Sequence, residues 1–401
     1  MNTAMKHLRT ICLLLLVLSL LASAGCAGAE KSILLTFTGD CTIGCTEKVR
    51  TDADSFESVA KAKGYDYFFA NYRELFEQDD LTVINFEGVF SDKKSQESQT
   101  KTYRFRGPTD FIKILTGSSV EACSLANNHT GDFGAQGEES TKATLEAGGI
   151  HWFQQYKPYI FEKDGIRIAF VSFHKIWNEF DKVKQLLLKL KSEENVNAII
   201  ACWHVGLEYR GSHETNVERT SQAMIKYGAD MVIINHPHVI QGINVSNNRC
   251  VFYSLGNFVF GGNNRIRTEK FKMDQTVTSL YSLVVQAKLT FTDKGKYLGQ
   301  QIVIYPTCNS SGGFDKYNVQ INNYQPYCAS AEEAEIIRQA IQRDTAFTIP
   351  EVTTGPDGLS RIELGYLAAF DGAEIPEGEQ GGPQGIPEAS NATPTRNNKG
   401  K

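Results

Sequence analysis

Short apolar runs that each stop at a polar residue constrain this chain more than any other feature of its sequence. "ILLTFTG", "LTVINFE" and "VEACSLAN" alternate with the helical stretches "YDYFFANYRELFEQ", "TDFIKILTG" and "QGEESTKATLEAGG". That alternation of buried strand and crossover helix predicts an α/β domain with a parallel core. "YIFEKDGIRIAFVSF" predicts a hairpin turning at Asp164-Gly165. The helix "FDKVKQLLLKLKSEEN" leads to the strand "AIIACWH", and the helix "NVERTSQAMIKYG" to the strand "MVIIN". Later alternating segments read as antiparallel, which makes the sheet mixed or doubled.

The ends of the chain differ from its middle. Lys6 and Arg9 precede the apolar run Ile11 to Ala24, too short to span a membrane comfortably and typical of an export signal over residues 1–25. Ala24-Gly25-Cys26 resembles the end of a bacterial lipoprotein signal, so Cys26 is expected to carry lipid and tether the protein outside the cell membrane; plain secretion is the alternative. Residues 26–31 form a short linker, 32–310 the main domain, and 311–369 an extension with one helix around residues 331–345. The tail 370–401 is rich in Gly, Pro and Asn and is expected to be disordered. A net charge of −5, scattered along the sequence, excludes the basic footprint of a nucleic-acid binder. Seven cysteines follow Cys26, and Cys308 with Cys328, bracketing a polar loop-like stretch, are the best candidates for a disulfide.

Ligands of α/β sheets gather beyond the carboxyl ends of strands. The strands here end in Asp40, in Asn85-Phe86-Glu87, in Asn127-Asn128-His129, in His204, and in His236-Pro237-His238. Taken singly, each has a structural reading: a turn carboxylate, a surface charge, a core histidine. Together they offer the mixture of oxygen and nitrogen donors that suits Mn, Zn or Fe, whereas calcium prefers oxygen alone. Cys41 is a further, softer donor beside Asp40, though a loop cysteine is the plainer reading. His151, His174 and His213 have no such surroundings and read as structural or surface residues.

"FTGDCTIG", "VINFEGVFSD", "SLANNHTGDFG", "WHVGLEY", "NHPHVIQG" and "VFYSLGNFVF", in this order between Ile33 and Phe260, resemble the CapA family of poly-γ-glutamate capsule synthesis proteins. That family is similar to the calcineurin-like metallophosphoesterases. The resemblance implies a four-layer α/β/β/α sandwich around one or two divalent ions. It implies Asp40, Glu87, Asn128, His204, His236 and His238 as metal ligands, with Glu87 bridging, and His129 as proton donor. Asn127 and Asn257 would contact substrate, and Glu208 would either bind metal or orient His204. Two departures stand out. The superfamily's Asp-x-His is here Asp40-Cys41-Thr42, and its Gly-Asp-x-x-Asp is replaced by Asn85-Phe86-Glu87. The function expected is a metal-dependent, phosphoesterase-like hydrolase in capsule assembly. The alternative is a non-catalytic lipoprotein that binds the envelope polymer or membrane-bound synthase subunits, and a related one is amide hydrolysis or transfer on the polymer.

Overall fold

Ile33, Leu35 and Phe37 alternate along the strand Lys31–Thr42, so all three side chains leave the same face. In the computed structural model, which describes residues 30–94, 96–271 and 275–369, that face packs on a second sheet. The expected signal segment, Cys26 and the tail 370–401 lie outside the described residues.

The first sheet runs in the order Thr353–Thr354, Ser360–Ala368, Tyr297–Cys308, Tyr281–Phe291, Lys31–Thr42, Leu81–Phe86, Ala122–Ser124, His151–Phe153. It is antiparallel from its first-named edge to Lys31–Thr42 and parallel beyond it. The short strand Asn257–Phe260 joins alongside Asp40. In the second sheet the order is Ile243–Ser246, Arg249–Phe252, Met231–Asn235, Ala198–His204, Ile166–His174, Tyr159–Lys163. Its last two strands form the expected hairpin, with Asp164 and Gly165 at φ 53° and 72° in the turn. The class is α/β, as the sequence predicts.

Between the sheets, Leu35, Phe37 and Val83 share one core with Phe170, Ile200 and Ile233. On the other face of the first sheet, Ile84, Phe86 and Cys123 pack with Phe56 of the helix Phe56–Lys63 and with Ile114 and Leu115 of Ile112–Thr116. The outer face of the second sheet is covered by Phe180–Ser192 and Thr215–Lys226. Phe180, Val183, Leu187 and Leu190 recur at helical spacing and are all buried. Each such side chain contributes about 2 kcal/mol by leaving water.

One irregularity aims the first strand's polar end. Phe37 opposes Val83, yet Asp40 opposes Asn85, so the Lys31–Thr42 strand carries one extra residue between them. Such a bulge reverses which face the following residues take. Cys41 therefore enters the outer core and Asp40 turns toward the second sheet. Gly39 makes the bulge possible, because a Cβ there would stand 2.2 Å from the carbonyl oxygen of Gly256.

The proposed Cys308–Cys328 disulfide is not formed, and among the described residues all seven cysteines are free. Thr307 opposes Cys328 across the ladder while Cys308 opposes Tyr327. Neighbouring side chains alternate in direction, so Cys308 lies between the sheets and Cys328 in the outer core. A disulfide needs Cβ atoms about 3.8 Å apart, which opposite faces cannot provide. The stretch 311–369 holds the helix Ala331–Gln342, started by a Ser330–Glu333 capping box, and returns as the strand Ser360–Ala368 on the first sheet.

Candidate metal centre

Along the facing surfaces of the two sheets the residues change from apolar to polar as the strands end. Val83 is followed on that face by Asn85, Cys202 by His204 and Ile233 by Asn235. Ser124 and Ser172 hydrogen-bond across the gap at 3.0 Å, so the polar layer is already joined there.

Asp40 is fully buried. Its Oδ1 accepts from Asn85 Nδ2 at 2.7 Å and its Oδ2 from the backbone N–H of His236 at 3.1 Å. His238 Nδ1 stands 3.4 Å from Oδ2, and His204 Nδ1 3.9 Å from Oδ1. Glu87 is also fully buried, with Oε1 3.6 Å from His204 Nε2, 3.7 Å from His129 Nε2 and 4.0 Å from His238 Nε2. Neither of its carboxylate oxygens receives a hydrogen bond from the described residues. Burial, then the charge of Asp40, raises the Glu87 pKa well above the usual carboxylate range.

The two histidines around Pro237 are held by strained backbone, His236 at φ 108° and His238 at φ 59°. Left-handed conformations of this kind cost about 1–3 kcal/mol each and persist where surrounding contacts enforce them. The enforcing contacts are visible. Val205 N–H donates to Asn235 O at 3.0 Å, and Tyr209 N–H to Pro237 O at 2.8 Å. His238 Nδ1 donates to Asn257 Oδ1 at 2.9 Å, while His236 Nδ1 has no partner among the described residues. Burial, then the neighbouring imidazoles, holds the His204 and His236 pKa values well below the ordinary one, keeping both rings in the neutral form that binds metal. Burial also disfavours charge on His238, but Glu87 and Asp40 outweigh it and raise its pKa.

Three overlapping groups result. The ligand atoms of Asp40, Glu87 and His238 lie within 4.8 Å of one another, as do those of Glu87, His204 and His236, and those of Glu208, His236 and His238. Asn128 Oδ1 adds an amide oxygen 2.8 Å from His204 Nε2. All six ligand positions implied by the sequence thus converge, and Glu87 belongs to two groups. A buried carboxylate without a donor costs several kcal/mol, and a divalent cation is the partner that would remove that cost. The mixed carboxylate, amide and imidazole set fits Mn, Zn or Fe.

His129 projects Nε2 toward Glu87 and donates through Nδ1 to Asp132 Oδ2 at 2.7 Å. Asp132, fully buried, also accepts from Lys101 Nζ at 2.6 Å and from the Phe105 N–H at 2.7 Å. Asn127, expected to contact substrate, uses its amide within the loop: Nδ2 donates to Phe86 O at 2.8 Å and Oδ1 accepts from His129 N–H at 3.0 Å. Asn257 braces His238. Glu208 is exposed and grouped with His236 and His238. Cys41 faces away into the outer core, its thiol pushed up to about 12 by burial.

Sequence reasoning named Asn85 at its strand end without a role, missed Lys101 and Asp132, and set aside His174, which donates through Nδ1 to the carbonyl of His204 at 3.0 Å. Asp132 left a signal: it follows His129 by three residues, the reach of a side chain across one turn. His213 is a structural tie, stacked on Tyr253 at 3.6 Å and bonded to Asp344 at 2.9 Å.

Comparison with known proteins places this geometry in context. Residues 34–262 match the family described as "Bacterial capsule synthesis protein PGA_cap". The "Capsule biosynthesis protein CapA" of Bacillus anthracis is 27% identical over 257 residues, which cover 58% of this chain and 60% of that protein. The "PGA biosynthesis protein CapA" of Bacillus subtilis (strain 168) is 28% identical over 225 residues, 51% of this chain and 59% of that one. The match therefore spans about three fifths of the length of these relatives. A crystal structure of a hypothetical protein from Thermus thermophilus shares 13% identity, covering 68% of this chain and 99% of that one, with a TM-score of 0.39, too low a likeness to bear on function. The family match extends over more than half of the sequence and includes every residue of the centre, so the chain belongs to the bacterial capsule synthesis protein PGA_cap family.

Proposed function

We propose that this protein is exported, anchored outside the membrane by lipid on Cys26, and acts there as a metal-dependent, phosphoesterase-like hydrolase in the making of capsule or poly-γ-glutamate. The names of its two CapA relatives support the pathway. The buried, unpartnered Glu87 carboxylate among His129, His204 and His238 carries the chemical reading. Asp40, Glu87, Asn128, His204, His236 and His238 would hold one or two divalent ions. A bound divalent metal lowers the pKa of water from about 15.7 toward about 7 and polarises a phosphoryl or acyl oxygen.

The rest falls to the protein's own side chains. With Nδ1 engaged by Asp132, His129 has only Nε2 to offer the site, where it delivers a proton to the departing oxygen or nitrogen. Asp132 fixes the tautomer and the ring's direction, and the Phe105 ring, 4.3 Å from that of His129, shields one side from water.

Metal analysis of the purified protein, with turnover of an aryl phosphate measured with and without chelator, tests the reading. Bound metal and chelator-sensitive turnover are expected, and His129→Ala should lower turnover while metal content stays unchanged. Bound metal with no turnover of phosphoester or γ-glutamyl substrates would instead make the protein an accessory that binds polymer or synthase subunits. Mass spectrometry of the mature N-terminus decides the anchor, since an unmodified start contradicts lipid on Cys26.

A further inference from the structure

A groove of about 700 Å³ lies on the flank of the molecule, between the helix Ala331–Gln342, the hairpin of Thr268–Phe271 with Gln275–Thr278, and the segment around Phe314. Its walls are largely apolar, with Ile240, Val277 and Leu280 on one side and Ile336 and Ala340 on the helix. Ile336, Ala340 and Arg343 recur at helical spacing and share one face. The residues that anchor this helix, Ala334, Ile337 and Ile341, are buried with Ile304 and Ile362 instead. Ile336 is 46% exposed and Phe314 64%, the kind of apolar surface that marks an interaction site. The Arg343 guanidinium, which also lines the groove, has no ion pair or hydrogen bond among the described residues.

Three of the chain's eleven prolines stand in the tripeptide Ile-Pro-Glu, at residues 349–351, 375–377 and 386–388. The first copy shows how such a segment seats on this helix. Ile349 is buried, its N–H donates to Gln342 Oε1 at 2.8 Å and its carbonyl accepts from Arg338 Nη1 at 3.2 Å. Glu351 follows close enough for its charge to act on the Arg338 guanidinium. The other two copies belong to the tail 370–401, outside the described residues.

We infer that the groove is the docking site of the chain's own tail, with Ile386 and Pro387 against the apolar walls and Glu388 on Arg343. The inference does not depend on the metal reading. Charge favours it: the tail carries five carboxylates from Asp371 to Glu388 and neither Lys nor Arg before Arg396. Proline favours it too, because the residue before a proline is already biased to extended backbone and so loses less freedom on docking.

Reach selects between the two copies. Ala368 opposes Gly299, whereas Tyr281, on the groove wall, opposes Cys308. The tail therefore leaves the sheet about 30 Å along the strand direction from the groove. Ile375, six residues after Ala369, extends at most about 20 Å, while Ile386, seventeen residues after it, extends to about 55 Å. A tethered segment meets its site at roughly 1 mM, so a Kd of about 0.1 mM for the free segment leaves the groove about nine-tenths covered.

The test is a fluorescein-labelled peptide of residues 382–392, titrated into the full chain and followed by anisotropy. It should bind the Ile386→Asp chain with a Kd of about 0.1 mM or tighter and wild type about tenfold more weakly, because the native tail competes. Ile375→Asp should behave as wild type. Arg343→Glu, added to the Ile386→Asp chain, should abolish binding, and the peptide carrying Glu388→Arg should restore it. Arg343 is exposed, so this variant is expected to melt as wild type does. A peptide that does not bind the Ile386→Asp chain, or binds it no better than wild type, overturns the inference. Ile375→Asp that opens the groove overturns the choice of copy, and a reversed-charge peptide that does not rebind overturns the Glu388–Arg343 pairing. A dimer seen by light scattering, unchanged by Ile386→Asp and excluding the peptide, would give the groove to a second copy of the chain and overturn the tail as its occupant.

Discussion

His204 Nε2 stands 3.6 Å from Glu87 Oε1, and the two residues stand at the ends of strands in different sheets. They meet only once the sheets have packed, which couples the centre to the fold. A cation bound between them stabilises the folded chain by about 2.7 kcal/mol at a hundredfold excess over its Kd. Added Mn(II) or Zn(II) should therefore raise the melting temperature and a chelator should reverse the rise. Glu87→Gln, which keeps the side chain's volume and removes the carboxylate a cation would bind, should melt no lower than metal-free wild type and should not respond to cation.

Asp132→Asn should lower turnover about 100-fold, within the range of general acid catalysis, while metal content stays at the wild-type level. The carboxylate holds His129 in the tautomer that presents Nε2, and an amide weakens that hold. A shifted pH–rate profile would mark a positioning role. Parallel loss of metal and activity would mean that Asp132 supports the ligand loop instead.

Glu121 gives a pH effect independent of the centre. Burial pushes its pKa up to about 7, against the hydrogen bond that its Oε2 accepts from Thr82 N–H at 2.8 Å. A folded-state pKa above the unfolded one means stability present at low pH and lost as pH rises through about 7. Glu121→Gln should thus gain stability near pH 8, by about 1 kcal/mol once partial exposure is allowed for, and gain little near pH 4. Urea unfolding at the two pH values measures it.

Gly39→Ala should destabilise by about 1–3 kcal/mol, because the new methyl group meets the Gly256 carbonyl and the strand must shift. The shift would carry Asp40 with it, so cation affinity should fall together with the melting temperature.

Much of this was legible before any coordinates. Apolar runs located the strands and the polar residues where those runs stop, since strand ends gather ligands in α/β sheets, and the family resemblance singled out Asp40, Glu87, Asn128, His204, His236 and His238 among them as the expected ligands. The bulge was not legible, because nothing in "TFTGDC" distinguishes an extra residue from simple alternation, and so Cys41 stood beside Asp40 as a possible ligand. The loop hydrogen bonds of Asn127 were not legible either, because sequence does not show which amide a loop consumes for its own support. The Cys308–Cys328 pairing failed for a similar reason: side-chain direction depends on strand register, which no spacing reveals. Glu208 is close to His204 in the chain, yet the hydrogen-bonded path of the backbone brings it to the His236–His238 pair.

Anomalous diffraction from crystals saturated with Mn(II) or Zn(II), collected at the metal's absorption edge, tests the centre most directly. The expected map has a peak about 2.0–2.2 Å from a Glu87 carboxylate oxygen and from imidazole nitrogens of the surrounding histidines. A saturated crystal whose map shows no peak at bonding distance from Glu87 would contradict a metal centre in this fold.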